Sequence, residues 1–233
     1  LGIDISSTFY GIFFEDINQS NDGGICAQLI QNHSFQMYNV PGSGEIGPAD
    51  KKFPEFSKSP TEIYGWTVVS KGGAVGTVTT VEDKPLVTYK KIYNFDENDK
   101  YNDSLKYKQY YLKFNIEKPG DGFGLAANGY GINKNGPEKE GNYYSNNTQR
   151  PSIALNAGEK YDLGLYLQGE GYKGNISVYL EDSSGKINSN VIKFKKLANS
   201  WKKFVGKLTA QRSEDSRLVI EANSAGIFYL DFV

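Results

Sequence analysis

Sulfur and imidazole are nearly missing from this chain of 233 residues, which holds one cysteine, Cys26, and one histidine, His33. A lone cysteine cannot close an intramolecular disulfide or build a cysteine-rich metal site. A lone histidine excludes a multi-histidine zinc centre and leaves one candidate for imidazole acid–base chemistry. An excess of one charge is missing too: 26 Lys and Arg stand against 27 Asp and Glu, for a formal net charge of -1. That balance argues against nucleic acid or a membrane surface as a general electrostatic partner. No apolar run approaches the roughly 18 residues that a bilayer-spanning helix needs. Nothing points to a redox cofactor. No secretory leader opens the sequence, and Leu1 stands in mid-pattern, as expected of a mature or cut fragment.

What the chain does have is 17 Tyr, 13 Phe and 26 Gly, in a composition that is 38% hydrophobic. That is enough to bury a core, and tyrosine, phenylalanine and glycine suit half-buried strands and tight turns. Three regions follow one another. The first, to about Ile30, carries the nearly continuous apolar run Tyr10-Gly11-Ile12-Phe13-Phe14 ending in Glu15 and Asp16, which reads as a strand buried on both faces. A Gly23-Gly24 turn and a helix-compatible stretch from Ile25 to Ile30 come next. The second, about Asn39 to Tyr64, contains Pro41, Pro48, Pro54 and Pro60 and reads as a long irregular connection.

The third region, from Trp66 to Val233, is strand after strand. Tyr110, Leu112, Phe114 and Ile116 share one face, and Leu163, Leu165 and Leu167 alternate with Asp162, Gly164 and Tyr166. Ile176, Val178 and Leu180 alternate with Asn175, Ser177 and Tyr179, and Arg217 to Ala222 alternates more weakly. Turn signals recur at Asn128-Gly129, Asn135-Gly136 and Ser183-Ser184-Gly185. One face in and one face out predicts an all-β fold, an antiparallel sandwich.

The segment from Tyr10 to Asn18, then Asp22-Gly23-Gly24, then Gln28 to Phe35, closely resembles the start of the family 51 glycoside hydrolases, which are α-L-arabinofuranosidases. The resemblance implies that residues 1–30 correspond to the first strand and loop of a catalytic (β/α)8 barrel. Ala127 to Ile132, Gly158 to Tyr161, Asn32-His33-Ser34-Phe35-Gln36 with Gly65-Trp66, and the closing Tyr229 to Val233 are similar to family 4/9 carbohydrate-binding modules. Those are jelly-roll, galactose-binding-like sandwiches, so residues 31–233 are expected to form one. The sequence departs from the family in two ways: the family's catalytic carboxylates lie on later barrel strands, beyond this chain, and Asn133 to about Ser152 is longer than the family's turn there.

In the family, the residue matching Glu15 contacts a substrate hydroxyl; in this chain alone it reads as a strand-end acid facing solvent. Retaining glycosidases need two carboxyl groups roughly 5–5.5 Å apart. Glu15 and Asp16 are adjacent on a strand and point to opposite faces, so they cannot form that pair. No glycosidase activity is expected of this chain by itself.

Sugar binding calls for aromatic faces and paired amides. The outward sets supply Tyr111, Lys113 and Asn115, then Tyr166 and Gln168, then Asn175 and Tyr179, which form one polar face if their strands share a sheet. Tyr143 and Tyr144 lie amid amides and, with Tyr130, form one wall of a cleft or else pin a long loop to the sandwich. Trp66 and Trp201 stand at strand starts and are expected in core or loop-anchor packing. His33 is expected in a turn or buried, and Cys26 as a core thiol. The resemblance also implies one structural calcium, held by the Ser34 carbonyl, Gln36 and Asp231; the alternative is that Asp231 bonds backbone amides and holds no ion.

The resulting expectation is a non-catalytic carbohydrate-binding module of an α-L-arabinofuranosidase acting on plant cell-wall polysaccharide, arabinoxylan or arabinan, or on derived oligosaccharides. The alternative is a structural accessory domain of the same hydrolase that binds no sugar. The catalytic barrel of the parent enzyme is an expected partner; nucleic acid and membrane are not. A bacterial secreted or extracellular location is expected, with the cytoplasm as the alternative. Ile12, Phe13 and Phe14 need cover, so residues 1–30 are expected to dock on the sandwich or to self-associate with another copy.

Overall fold

The structure is a computed structural model. It describes residues 28–30, 32–35, 37–38, 47–48, 63, 65–82, 110–127 and 153–233. Glu15, Cys26, Gln36, Tyr130, Tyr143 and Tyr144 lie outside the described residues, as do residues 1–27 of the leader and most of the proline-rich connection.

In chain order the strands are β1 (Met37–Tyr38), β2 (Gly47–Pro48), β3 (Trp66–Lys71), β4 (Val75–Glu82), β5 (Tyr110–Lys118), β6 (Gly122–Ala127), β7 (Lys160–Glu170), β8 (Ile176–Asp182), β9 (Ile192–Phe194), β10 (Lys202–Thr209), β11 (Ser216–Ala222) and β12 (Gly226–Asp231). Two 5-stranded sheets form, the first in the order β10-β7-β12-β5-β4 and the second β3-β6-β11-β8-β9, with β1-β2 as a small separate pair. Every pairing between these strands is antiparallel. The expected all-β, two-sheet jelly-roll sandwich is what the chain forms.

The alternation seen in the sequence is the cause. In β5, Leu112, Phe114 and Ile116 are buried, while Asn115 and Glu117 are exposed. In β7, Leu163, Leu165 and Leu167 turn inward. They meet Ile176, Val178 and Leu180 of β8 and Leu218 and Ile220 of β11 in one continuous core. Within the first sheet Phe114 pairs with Phe228 of β12, and their rings stack at 4.3 Å with an interplanar angle of 13°. Ser183-Ser184-Gly185 makes the expected turn after β8. Asp182 closes it by accepting from the Ser184 and Lys186 backbone N–H groups at 2.9 and 3.0 Å.

The opening segment packs on this sandwich rather than beside it. Ile30 is buried in the core and Leu29 packs against it, and Gln28–Ile30 is irregular, not helical. Trp66 is buried as expected. Its ring centroid lies 5.4 Å from that of Phe35, and its indole N–H donates to the Asn32 carbonyl at 3.3 Å.

Replacing Phe114 by Ala removes half of the central stack and leaves a cavity. The expected loss is about 3–5 kcal/mol of unfolding free energy. Val205→Ala, at a side chain that is 66% exposed, is expected within about 0.5 kcal/mol of the parent. Urea unfolding of both variants checks this, and equal midpoints would contradict the packing described.

Candidate functional site

The outward positions of β5 and β7 do share a sheet, with β12 between them. The register sets Tyr229 beside Lys113 on one side and Gln168 on the other. Asp231 pairs with Tyr166, Tyr166 with Lys203 of β10, and Tyr111 with Val81 of β4. Of the expected residues, Tyr111, Asn115 and Tyr166 are thus brought together on the outer face of the first sheet.

Two residues join them that the sequence did not place on this face: Trp201, expected in core or loop-anchor packing, and Tyr229. Trp201, just ahead of β10, is partly exposed rather than core. Its ring lies edge-on to Tyr111 at 5.4 Å and tilted toward Tyr229 at 6.4 Å. Tyr229 meets Tyr111 edge-on at 5.7 Å. Three partly exposed rings from β5, β12 and the approach to β10 therefore form one cluster. Tyr229 could have been found by alternation, because it stands between the inward Phe228 and Leu230; Trp201 could have been found as the i−2 neighbour of Lys203 on the same face.

The Tyr229 hydroxyl donates to Glu170 at 2.6 Å. Burial, then the bond to Glu170 and its charge, push the phenol up to about 12 from its ordinary 10.

β12 ends opposite Tyr166, so among the described residues the first half of β7 has no partner on that side. A cavity of about 940 Å³ opens there, lined by Tyr166, Lys203, Asp162 and His33 and floored by leucines that include Leu163 and Leu208. It adjoins the aromatic cluster through Tyr166 and Lys203.

Tyr179 does not belong to this face. β8 lies in the second sheet, so the condition that its strand share a sheet with β5 and β7 fails. Tyr179 is 3% exposed and packs with Val69, Ala126 and Val219 on the outer side of that sheet. Lys71 donates to its hydroxyl at 2.6 Å, and the hydroxyl donates to Glu221 at 2.8 Å. Glu181, fully buried, takes Lys71 at 3.2 Å and the Arg217 Nε at 2.8 Å. Burial raises the Tyr179 phenol to about 12. Burial opposes the Lys71 charge, yet the Tyr179 bond and the two glutamates outweigh it and hold the ammonium above its usual range. These groups satisfy one another and serve structure. Asn175 also leaves the face: its N–H donates to Asn223 at 2.8 Å ahead of β8.

The opening turn and the last strand meet, as a calcium site there requires. Val233 N–H donates to the His33 carbonyl at 2.9 Å, and the His33 ring lies 6.4 Å from Phe232. Asp231 is 2% exposed and accepts the Phe232 N–H at 2.9 Å. Phe35 and Phe232, the neighbours of Ser34 and Asp231, both adopt positive φ, 57° and 46°, which bulky residues avoid unless their surroundings impose it. Among the described residues no group of three or more His, Cys, Asp or Glu gathers. An ion here would have Asp231 as its one carboxylate among the described residues, with the Ser34 carbonyl as an oxygen donor, and calcium affinity falls as the ligand charge falls.

No protein-family model matches the chain. It aligns along 100% of its length with Alpha-L-arabinofuranosidase 1 of Arabidopsis thaliana, at 23% identity over 236 positions. A stretch of 35 residues is 57% identical to an extracellular exo-alpha-L-arabinofuranosidase of Streptomyces chartreusis. A solved structure of arabinose-bound MgGH51 α-L-arabinofuranosidase superposes on 97% of the chain with a TM-score of 0.55 at 17% identity. The chain is homologous to the family 51 α-L-arabinofuranosidases. It spans 27% of the Arabidopsis relative and 29% of the solved chain, and the 35-residue stretch covers 4% of the Streptomyces relative. Among the described residues no helix is long and apolar enough to cross a membrane.

Because the Tyr229 phenol is raised in the fold, the stability tied to its neutral form is present below pH 10 and lost as pH rises toward about 12. In Glu170→Gln the carboxylate charge goes while the burial stays, so the titration midpoint of Tyr229 is expected to fall part of the way toward 10. Ring-resonance NMR against pH reads this directly; an unmoved midpoint would show that Glu170 has no such influence.

Proposed function

We propose that the outer face of the first sheet binds carbohydrate. In this reading the chain acts as a non-catalytic binding module of an α-L-arabinofuranosidase that works on arabinose-containing plant polysaccharides such as arabinoxylan and arabinan. The observation that carries it is the cluster of Tyr111, Trp201 and Tyr229. Sugar rings present C–H faces that stack on aromatic rings, and their hydroxyls need donors and acceptors of the kind Gln168, Asn115 and Glu170 supply. The adjoining cavity gives a sugar chain a place to run on past Tyr166. Homology to the family 51 enzymes supports the parent activity, with hydrolysis assigned to barrel strands other than this chain. The extracellular Streptomyces relative supports action outside the cell.

The structural calcium belongs to the same reading. The Ser34 carbonyl, Gln36 and Asp231 would hold it, and it would brace the junction of opening turn and last strand beneath Tyr166.

Two outcomes test this. Affinity electrophoresis and calorimetry with arabinoxylan and xylo-oligosaccharides are expected to show binding that Trp201→Ala weakens about tenfold, near 1.4 kcal/mol. The same protein is expected to leave an aryl arabinofuranoside intact. No binding to any of these sugars would favour the accessory-domain alternative. For the metal, chelation followed by added calcium is expected to lower and then restore the melting temperature, with Asp231→Asn abolishing the difference. A melting curve indifferent to calcium would remove the ion from the site.

A further inference from the structure

One feature of the chain is not absorbed by a neutral sugar site. Between Lys186 and Arg212 the sequence holds eight cationic residues and not one Asp or Glu, in a chain whose net charge is -1. This stretch runs through β9, the connection to β10, and β10 itself, the edge strand of the first sheet. Lys207 is paired with Asp162, and Arg212 with Asp182 and Glu214. The other six lysines are exposed and enter no ion pair among the described residues.

The strip runs directly into the aromatic face. Trp201 is followed by Lys202 and Lys203. Lys203 pairs with Tyr166 and shares its face, and its Cε lies over Gly164, 3.7 Å from where a Cβ would stand. On the other flank Lys113 stands beside Tyr229, again on the outer face and without an ion pair among the described residues. Of the acids on this face, Asp162 holds Lys207 and Asp231 is buried, while Glu170, which accepts the Tyr229 hydroxyl, and the exposed Glu117 of β5 keep their charge. Two ammonium groups that enter no ion pair among the described residues therefore flank the ring cluster, and the further exposed lysines behind Lys203 outnumber the two charged acids of the face. Such an arrangement attracts carboxylates while the rings take sugar.

We infer that the ligand of this face is an acidic polysaccharide, one that carries uronic-acid carboxylates along with its neutral sugars, with Lys113 and Lys203 as the carboxylate contacts. This rests on the reading of the face as sugar-binding and adds the charge class of the sugar. A lysine-rich edge strand also discourages edge-to-edge pairing. That role alone would confer no preference for acidic over neutral polymer.

The test uses the full chain with glucuronoxylan and with the same polymer after reduction of its carboxylates to primary alcohols. Binding to the acidic form is expected to be about tenfold tighter, the scale of two partly exposed ion pairs, with the advantage shrinking as salt is raised. Lys113→Ala and Lys203→Ala are expected to abolish the advantage, and Lys186→Ala, in the turn after β8, to preserve it. Trp201→Ala should weaken both forms alike. Equal affinity for the acidic and reduced polymers would overturn this inference and leave the sugar site standing. Polyphosphate binding as tightly as glucuronoxylan, insensitive to Trp201→Ala, would reduce the face to a polyanion surface and overturn it too. Binding to neither polymer would overturn both this inference and the sugar site on which it rests.

Discussion

β12 is the strand on which both halves of the first sheet depend. It lies between β5 and β7, and its period of two divides its side chains between two tasks. Phe228 and Leu230 go into the core, fully buried. Tyr229 and Asp231 go to the outer side, where one completes the aromatic cluster and the other underlies the junction with the opening turn. A slip of one residue would exchange these sets, putting tyrosine and aspartate into the core and leaving phenylalanine and leucine on the surface. The stack between Phe228 and Phe114 opposes such a slip, because it holds only when the two residues face each other in register. The site is therefore positioned by the core rather than by loops.

The strands were legible because alternation is a local signal. β5, β7, β8 and β11 stand within a residue or two of where the sequence put them, and the inward faces agree. Which strands share a sheet is not a local property. Tyr179 alternates as Tyr111 and Tyr166 do, yet it belongs to the opposite sheet, where Lys71, Glu181 and Glu221 surround it. These partners lie up to 110 residues away in sequence, and no spacing rule announces them. Trp201 was misplaced for a related reason. A tryptophan ahead of a strand looks like an anchor, and only the pairing of β10 with β7 turns its ring to the outer face.

The two outer faces have opposite characters. On the second sheet, apolar side chains and an interlocked set of lysine, arginine, tyrosine and glutamate leave little polar capacity unspent. Removing Glu181 would leave Arg217 without its carboxylate and Lys71 with Glu221 alone, so that face is coherent only as a whole. On the first sheet the rings are partly exposed and the flanking ammonium groups enter no ion pair among the described residues. The contrast between a closed network and an open one is what separates scaffold from site in this sandwich.

The placement of β12 also governs how the protein reaches its fold. The central strand of the first sheet follows every other strand of that sheet in the chain, and its neighbours β5 and β7 are synthesised well before it. Until residues 226–231 arrive, both neighbours present unpaired backbone edges and uncovered leucine and phenylalanine. Topologies dominated by such distant pairings close late, on the scale of milliseconds to seconds. The first sheet thus passes through an interval with its middle missing, in which β5 and β7 are open to mispairing with other chains.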